Sequence, residues 1–296
     1  MDATEQYFFK QATGFLNRSI AKYRLRLALK RLGARVLGVI APSVEGDSLP
    51  PVTVLIVSYN TMLATELTLR TLRQHTRYPN YDIWVVENGS TDGSLEVLRE
   101  MQEEFGYTLI ESKEAKQHAH WLDYAMQHVE TPYWVAVDSD MLFLGQDWLY
   151  DIIIRLESDP DLYLVGCEPV PGGVGVEPVG GKIVEAGEHV ATWLFGARTS
   201  LRDSIPYSFA FYKAGINDAT GLERVFDSGG KILAEMRKQG IRYDYMPVSF
   251  RTKYYHYGSL SWAFDYNMPE RYRELKALQL QDIERLVCAL RRTSLT

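Results

Sequence analysis

Between Val52 and Asp140 the chain alternates strand-like and helix-like segments, and this alternation constrains the fold more than any other feature. Val52–Val57 (VTVLIV) is an almost unbroken apolar, largely β-branched run, the composition of a strand covered on both faces. A helix is expected over about Leu63–Gln74, a strand over Ile83–Val86, a helix over Ser94–Glu104, a strand over Tyr107–Glu111, a helix over about Ala115–His128 and a strand over Tyr133–Val137. Alternation at these lengths implies right-handed crossovers and a mostly parallel α/β sheet with flanking helices. Ligands of such sheets bind beyond the carboxyl ends of the strands, so the residues following each strand are read first.

Those residues are polar and acidic: Ser58-Tyr59-Asn60 after the first strand, Glu87-Asn88-Gly89-Ser90-Thr91-Asp92-Gly93 after the second, and Asp138-Ser139-Asp140 after the fourth. A second Asp-x-Asp, Asp159-Pro160-Asp161, lies between a helix and a strand and reads as a solvated turn. Asp138 and Asp140 instead follow a buried strand, where two neighbouring carboxylates repel unless a cation neutralises them. Oxygen ligands suit Mg²⁺ or Mn²⁺ held together with a substrate diphosphate. Asp92 is placed to cap the helix that follows it.

The strings VTVLIVSYN, WVVENGSTDGS and YWVAVDSD, at these spacings, resemble the inverting family 2 glycosyltransferases of the glycosyltransferase A fold. The resemblance is strong from Val52 to about Gly145, traceable to about Ser261, and does not cover the N-terminus. It implies a Rossmann-like nucleotide-sugar domain in which Ser58, Tyr59 and Asn60 line the base site. Glu87 takes a position usually filled by Asp, one methylene shorter. Asn88, Gly89, Ser90 and Ser139 join the donor contacts, and Asp138 and Asp140 hold the metal on the diphosphate. Lys113, Lys116, His118 and His120 fall where family members place a segment leaning on the donor. A lone His or Lys at a helix start is, however, more often a solvated surface residue.

Phe226-Asp227-Ser228-Gly229-Gly230 opens a helix running to about Gln239 and closed by Gly240. In the resembling family a Glu-Asp pair opens this helix and its Asp deprotonates the acceptor. Here the Asp is kept and the Glu is lost, and an acid at that position also serves as a plain helix cap. A late His completes the metal shell in many enzymes of this fold. His256, in YYHYGSLSW, takes that place by resemblance, whereas its aromatic neighbours read as core. Pro169–Gly181, with five Gly and three Pro among thirteen residues, is expected to lack regular structure, either as a lid or as a surface excursion. Val190–Phe195 reads as a strand.

The implied division is an arm and linker over residues 1–47, a nucleotide-sugar half over 48–145, an acceptor half over 146–268 and a C-terminal helix over 269–296. Residues 48–268 form one catalytic domain. The net charge of −6 conceals a polarity, because eight basic residues and no acid lie between Tyr7 and Ser43. Within that arm Leu25, Leu29, Leu32 and Val36 make an apolar stripe. Packing on the body or a second subunit, and contact with an anionic membrane surface, are both open. No run of about 18 apolar residues and no apolar leader is present, so a cytoplasmic protein, peripheral at most at the inner face of the membrane, is expected. Cys167 and Cys288 read as small buried thiols in a reducing compartment.

The implied activity is metal-dependent, hexosyltransferase-type transfer of a sugar from a nucleoside diphosphate sugar to an acceptor hydroxyl, with Asp227 as base. Glycan, lipid-linked and small-molecule acceptors are favoured, and modified nucleic acid stays open. A nucleotidyltransferase is the main alternative, although Ser58-Tyr59-Asn60-Thr61 lacks the Gly and positive charge of a triphosphate loop. A non-catalytic nucleotide-sugar-binding protein is the other.

Overall fold

A computed structural model of the chain describes residues 49–176, 183–205, 208–258, 260 and 270–293. The basic arm lies outside the described residues. The first half forms the expected alternation: β1 (Val52–Ser58), α1 (Met62–His75), β2 (Tyr81–Glu87), α2 (Ser94–Phe105), β3 (Thr108–Glu111), α3 (His118–His128) and β4 (Tyr133–Asp138). Then come β5 (Met141–Phe143), α4 (Trp148–Glu157), β6 (Leu162–Gly166), β7 (Pro169–Val170), β8 (Gly173–Val176), β9 (Ile183–Ala186), β10 (His189–Val190) and β11 (Leu194–Arg198). The chain continues through α5 (Leu201–Ser204), β12 (Tyr212–Ile216), β13 (Glu223–Phe226), α6 (Gly230–Gln239), β14 (Arg242–Tyr245), a 3-10 turn at Val248–Thr252, β15 (Tyr254–His256) and α7 (Glu270–Thr293).

The main sheet has seven strands in the order β14-β6-β11-β4-β1-β2-β3. Each neighbouring pair is parallel except the two that β11 makes. Every residue of β1 is buried, and its side chains divide by the period of two. Val52, Val54 and Ile56 pack with Leu69, Leu72, Leu98, Trp148 and Ile152 on one face. Leu55 and Val57 pack with Trp121, Leu122, Leu233 and Met236 on the other. Helices on both faces explain why the strands read as continuous apolar runs rather than alternating ones.

Four expectations need correcting. The third helix begins at His118, not Ala115, because Asn88 engages the backbone of Lys116 on both sides and holds that segment out of helical register. The strand expected over Val190–Phe195 is two, β10 and β11, separated by a turn closed by Leu194 N–H to the Ala191 carbonyl at 3.2 Å. The Gly-rich stretch contains β7 and β8, and β8 pairs antiparallel with β9 over Gly173–Val176; residues 177–182 lie outside the described residues. Cys288 is exposed on α7, whereas Cys167 is buried and its thiol is pushed up to about 12, mainly by burial.

α7 docks on α1 through an apolar stripe including Ile283 and Val287, which meets Ala64, Leu67, Tyr255 and Tyr257. Arg291 adds a two-pronged contact to the buried Glu66 of α1 at 2.7 and 2.5 Å, and Arg70 binds the same carboxylate at 2.8 Å. Burial pushes Glu66 up, and the two guanidinium groups overcome this and hold it below its ordinary value. No described helix is long and apolar enough to cross a membrane.

Candidate active site

β4 delivers Asp138 at its carboxyl end, and the chain turns through Ser139 and Asp140 into β5. Thr61 at the N-cap of α1 and Thr68 and Thr71 within it fix this turn, and with Thr65, which braces Thr61, they recur on one helical face. Thr68 Oγ1 accepts the Met141 N–H at 3.0 Å and lies 2.8 Å from the carbonyls of both Ser139 and Met141, to one of which it donates. Thr71 Oγ1 accepts the Phe143 N–H at 3.2 Å, and Thr61 Oγ1 shares a hydrogen bond with Ser139 Oγ at 2.9 Å. Side-chain hydroxyls thus satisfy the β5 backbone where it faces a helix instead of a strand.

On its other edge β5 pairs antiparallel with β15, in a register that sets His256 opposite Met141. That register brings the imidazole to the two carboxylates. His256 Nε2 lies 3.2 Å from Asp138 Oδ2 and 3.1 Å from Asp140 Oδ1. That nitrogen is itself buried. One ligand atom from each of the three residues falls within 4.8 Å of the others. Trp193 stacks on the His256 ring, centroids 5.1 Å apart and planes at 20°, and its carbonyl accepts the Asp138 N–H at 2.9 Å. Burial disfavours a charged His256, yet the attraction of Asp140 and Asp138 dominates and places its pKa at about 10. Burial raises Asp138, and His256 and His118 more than offset this, leaving it below the ordinary carboxylate value. The cluster therefore has a strong demand for positive charge. A proton on the imidazole or a divalent cation in its place can meet that demand, and two carboxylate oxygens with one imidazole nitrogen form a donor set that suits Mn²⁺ or Mg²⁺.

The expected donor residues divide into scaffold and surface. Ser58 is fully buried, and its hydroxyl bonds Thr65 at 2.8 Å. Glu87 is 1% exposed, and its two oxygens accept the N–H groups of Gly89 at 3.1 Å and Ser90 at 2.7 Å. The extra methylene relative to Asp lets this carboxylate reach forward and cap its own loop. Asn88 is also buried: Oδ1 accepts Lys116 N–H at 2.9 Å and Trp121 Nε1–H at 2.7 Å, and Nδ2 donates to the Lys116 carbonyl at 2.8 Å. Ser139 is buried as well. These four side chains build the loops and do not face solvent.

Tyr59, Asn60, Gly89, Ser90, Asp138 and His118 stay partly exposed. Asn60 takes a left-handed φ of 50° and joins the first two loops, its N–H donating to Ser90 Oγ at 3.0 Å and its Oδ1 accepting Thr91 N–H at 2.8 Å. Gly89 has φ 69°, and a Cβ there would meet the Glu114 carbonyl carbon at 2.5 Å, so the segment before α3 is clamped directly onto this loop. His118 Nε2 reaches to 3.5 Å from Asp138 Oδ1. Lys113, Lys116 and His120 are exposed beside it. Asp92 Oδ1 accepts the Ser94 N–H at 3.1 Å at the start of α2.

Asp227 is exposed between β13 and α6. Its Oδ1 accepts the Ser228 N–H at 2.7 Å, and its carbonyl accepts the Gly230 N–H at 2.8 Å. The loop abuts the turn that carries Trp193, since a Cβ at Gly229 would lie 2.6 Å from Val190 Cγ1 and 3.3 Å from Thr192 Cγ2.

Sequence reading missed the threonine series of α1 and the aromatic partner Trp193. The first had a signal, four threonines at helical spacing, Thr61 at the N-cap of α1 and Thr65, Thr68 and Thr71 within it. The second had none, because its role depends on the break between β10 and β11.

Residues 53–216 match the family described as Glycosyl transferase family 2. A 128-residue stretch is 25% identical to poly-β-1,6-N-acetyl-D-glucosamine synthase of Staphylococcus aureus, covering 43% of this chain and 31% of that protein. The chain therefore matches under a third of the length of these curated relatives. Among solved structures, mannosyltransferase PcManGT from Pyrobaculum calidifontis in complex with GDP-Man and Mn²⁺ is similar at TM-score 0.44 and 19% identity, over 94% of this chain and 96% of that one. S. aureus TarS 1–349 in complex with UDP-GlcNAc is similar at TM-score 0.39 and 15% identity, over 60% and 56%. With the family match running from β1 to the end of β12, more than half of its length, the chain is a member of glycosyl transferase family 2.

Proposed function

We propose that the chain is a metal-dependent, inverting glycosyltransferase, moving a hexose-type sugar from a nucleoside diphosphate sugar to an acceptor hydroxyl. The observation that carries the reading is the meeting of Asp138, Asp140 and His256, three ligand-type side chains from β4, the turn after it and β15, with an imidazole nitrogen lodged between two carboxylates. These three residues would hold Mn²⁺ or Mg²⁺, whose charge stabilises the departing diphosphate when it is bound. Tyr59, Asn60 and Ser90 face the nucleoside, and His118 with Lys113 supplies positive charge toward the phosphates. Asp227 accepts the proton of the acceptor hydroxyl as its oxygen bonds to the anomeric carbon and the bond from that carbon to the diphosphate oxygen breaks. An acceptor-facing, exposed carboxylate is the right group for that transfer.

The working boundaries are a catalytic body over 48–268, with acceptor recognition in 146–268. We assign the acceptor to the glycan, lipid-linked or small-molecule class. The basic arm would place a cytoplasmic enzyme against an anionic membrane or a second subunit. The test is turnover of a panel of sugar nucleotides with Mn²⁺ by the wild type, Asp140→Ala and Asp227→Asn. Loss of donor turnover in the first variant is expected. The second should bind nucleotide normally and lose about 10²–10⁴-fold in transfer to the acceptor. Equal turnover by wild type and Asp140→Ala would refute the metal assignment.

A further inference from the structure

The turn that presents His256 is held from outside the family-matched region. After β15 the chain reverses at Gly258, whose φ is 74° and whose Cβ position would lie 3.6 Å from the His256 ring. The main chain of this turn binds Asp140 on one side: Tyr257 N–H donates to the Asp140 carbonyl at 3.1 Å, and Leu260 N–H to Asp140 Oδ2 at 3.3 Å. On the other side α7 holds it. Lys276 Nζ donates to the Gly258 carbonyl, and Gln279 Nε2 donates to the Tyr257 carbonyl at 3.0 Å. Both side chains are almost wholly enclosed, Lys276 at 6% exposure and Gln279 at 3%. A buried ammonium is costly unless something specific holds it; here the Gly258 carbonyl, two residues from a ligand-type imidazole, accepts its hydrogen bond, and the charge of Asp140 is near enough to act on it.

We propose that Lys276 is a positioning residue for the Asp138–Asp140–His256 centre, fixing the Tyr257–Gly258 turn so that His256 stays within reach of both carboxylates and the centre keeps its affinity for a divalent cation. The inference rests on reading that centre as a cation site. It adds a residue of α7, which lies beyond the matched residues 53–216. The predicted direction separates positioning from simple electrostatics. A cation near Asp140 that acted only through its charge would compete with bound metal, and its removal would tighten binding. A positioning residue acts the opposite way.

The experiment titrates Mn²⁺ into the full chain and reads free Mn²⁺ by its electron paramagnetic resonance signal, without substrate. Four proteins are compared: wild type, Lys276→Met, Lys276→Gln and Arg291→Gln. The last loosens α7 at its far end, away from the turn. The expected result is Mn²⁺ binding about 10–100-fold weaker in Lys276→Met, the range for lost support of a metal ligand. Lys276→Gln, which keeps a donor for the Gly258 carbonyl, should lie between it and the wild type, and Arg291→Gln should match the wild type. Should Lys276→Met fail to fold, Lys276→Gln alone decides, with several-fold weakening expected. Binding within twofold of wild type, tighter binding, or equal weakening in Arg291→Gln would each overturn the proposal. Absence of Mn²⁺ binding by the wild type would instead overturn the cation-site reading on which it stands.

Discussion

Thr68 gives the sharpest test of how the Asp-x-Asp turn is held. Its hydroxyl is fully buried and bonds the Met141 N–H at 3.0 Å while lying 2.8 Å from the Ser139 and Met141 carbonyls. Thr68→Val replaces that hydroxyl by a methyl of nearly equal size, so packing is conserved and only the hydrogen bonds are lost. An unsatisfied buried N–H costs about 1–3 kcal/mol, and a carbonyl that loses a donor adds to it. The expected destabilisation is about 2–3 kcal/mol, and at roughly 2–4 °C per kcal/mol for a chain of this size the melting temperature falls by about 4–12 °C. Thr68→Ser does the reverse, keeping the hydroxyl and deleting one buried methyl for about 1 kcal/mol. Paired denaturant melts of the two variants decide, with Mn²⁺ titration as a second readout expected to weaken only in Thr68→Val. If Val at 68 is as stable as Ser, packing rather than the hydroxyl bonds holds the turn, and the reasoning fails.

Three further outcomes follow from named contacts. Glu66 titrates below its ordinary value of 4.5 in the folded chain because Arg291 and Arg70 overcome its burial. Its stabilising contribution is therefore complete above pH 4.5 and is lost as pH falls through the lower folded value, so acid unfolding monitored by circular dichroism should show a loss below pH 4.5 that Glu66→Gln lacks. At neutral pH Glu66→Gln should cost about 2 kcal/mol, less than a fully buried pair because the Arg291 side chain is 52% exposed. Gly89→Ala should fail to hold the loop after β2, since its Cβ would meet main chain at 2.5 Å at a φ of 69°; limited proteolysis within 112–117 and a raised KM for donor are the expected signs, and an unchanged digest would contradict them. Asn88→Ala strands the Trp121 N–H and both Lys116 main-chain groups, so donor KM should rise with little change in the acceptor's KM.

What the sequence disclosed, and what it withheld, follows from the range of the interactions. The run at 52–57 and its successors carry their own burial pattern, so β1 to β4 and their crossovers are legible, and with them the place where Asp138 and Asp140 emerge. His256 is a different case. It lies 116 residues beyond Asp140 and arrives only through the antiparallel register of β15 on β5, a three-residue pairing with no local signature. Only the family resemblance pointed to it. The loop after β2 shows the opposite limit: the family resemblance assigned Glu87 and Asn88 to the nucleotide, but a matching position does not say which way a side chain turns. A longer acid after a buried strand can either reach the ligand or reach the N–H groups of its own loop, and the structure takes the second option at Gly89 and Ser90. The consequence bears on the loop itself: a carboxylate one methylene shorter would not reach both main-chain donors, so exchanging Glu87 for Asp should loosen the loop after β2, seen as faster limited proteolysis within 88–93.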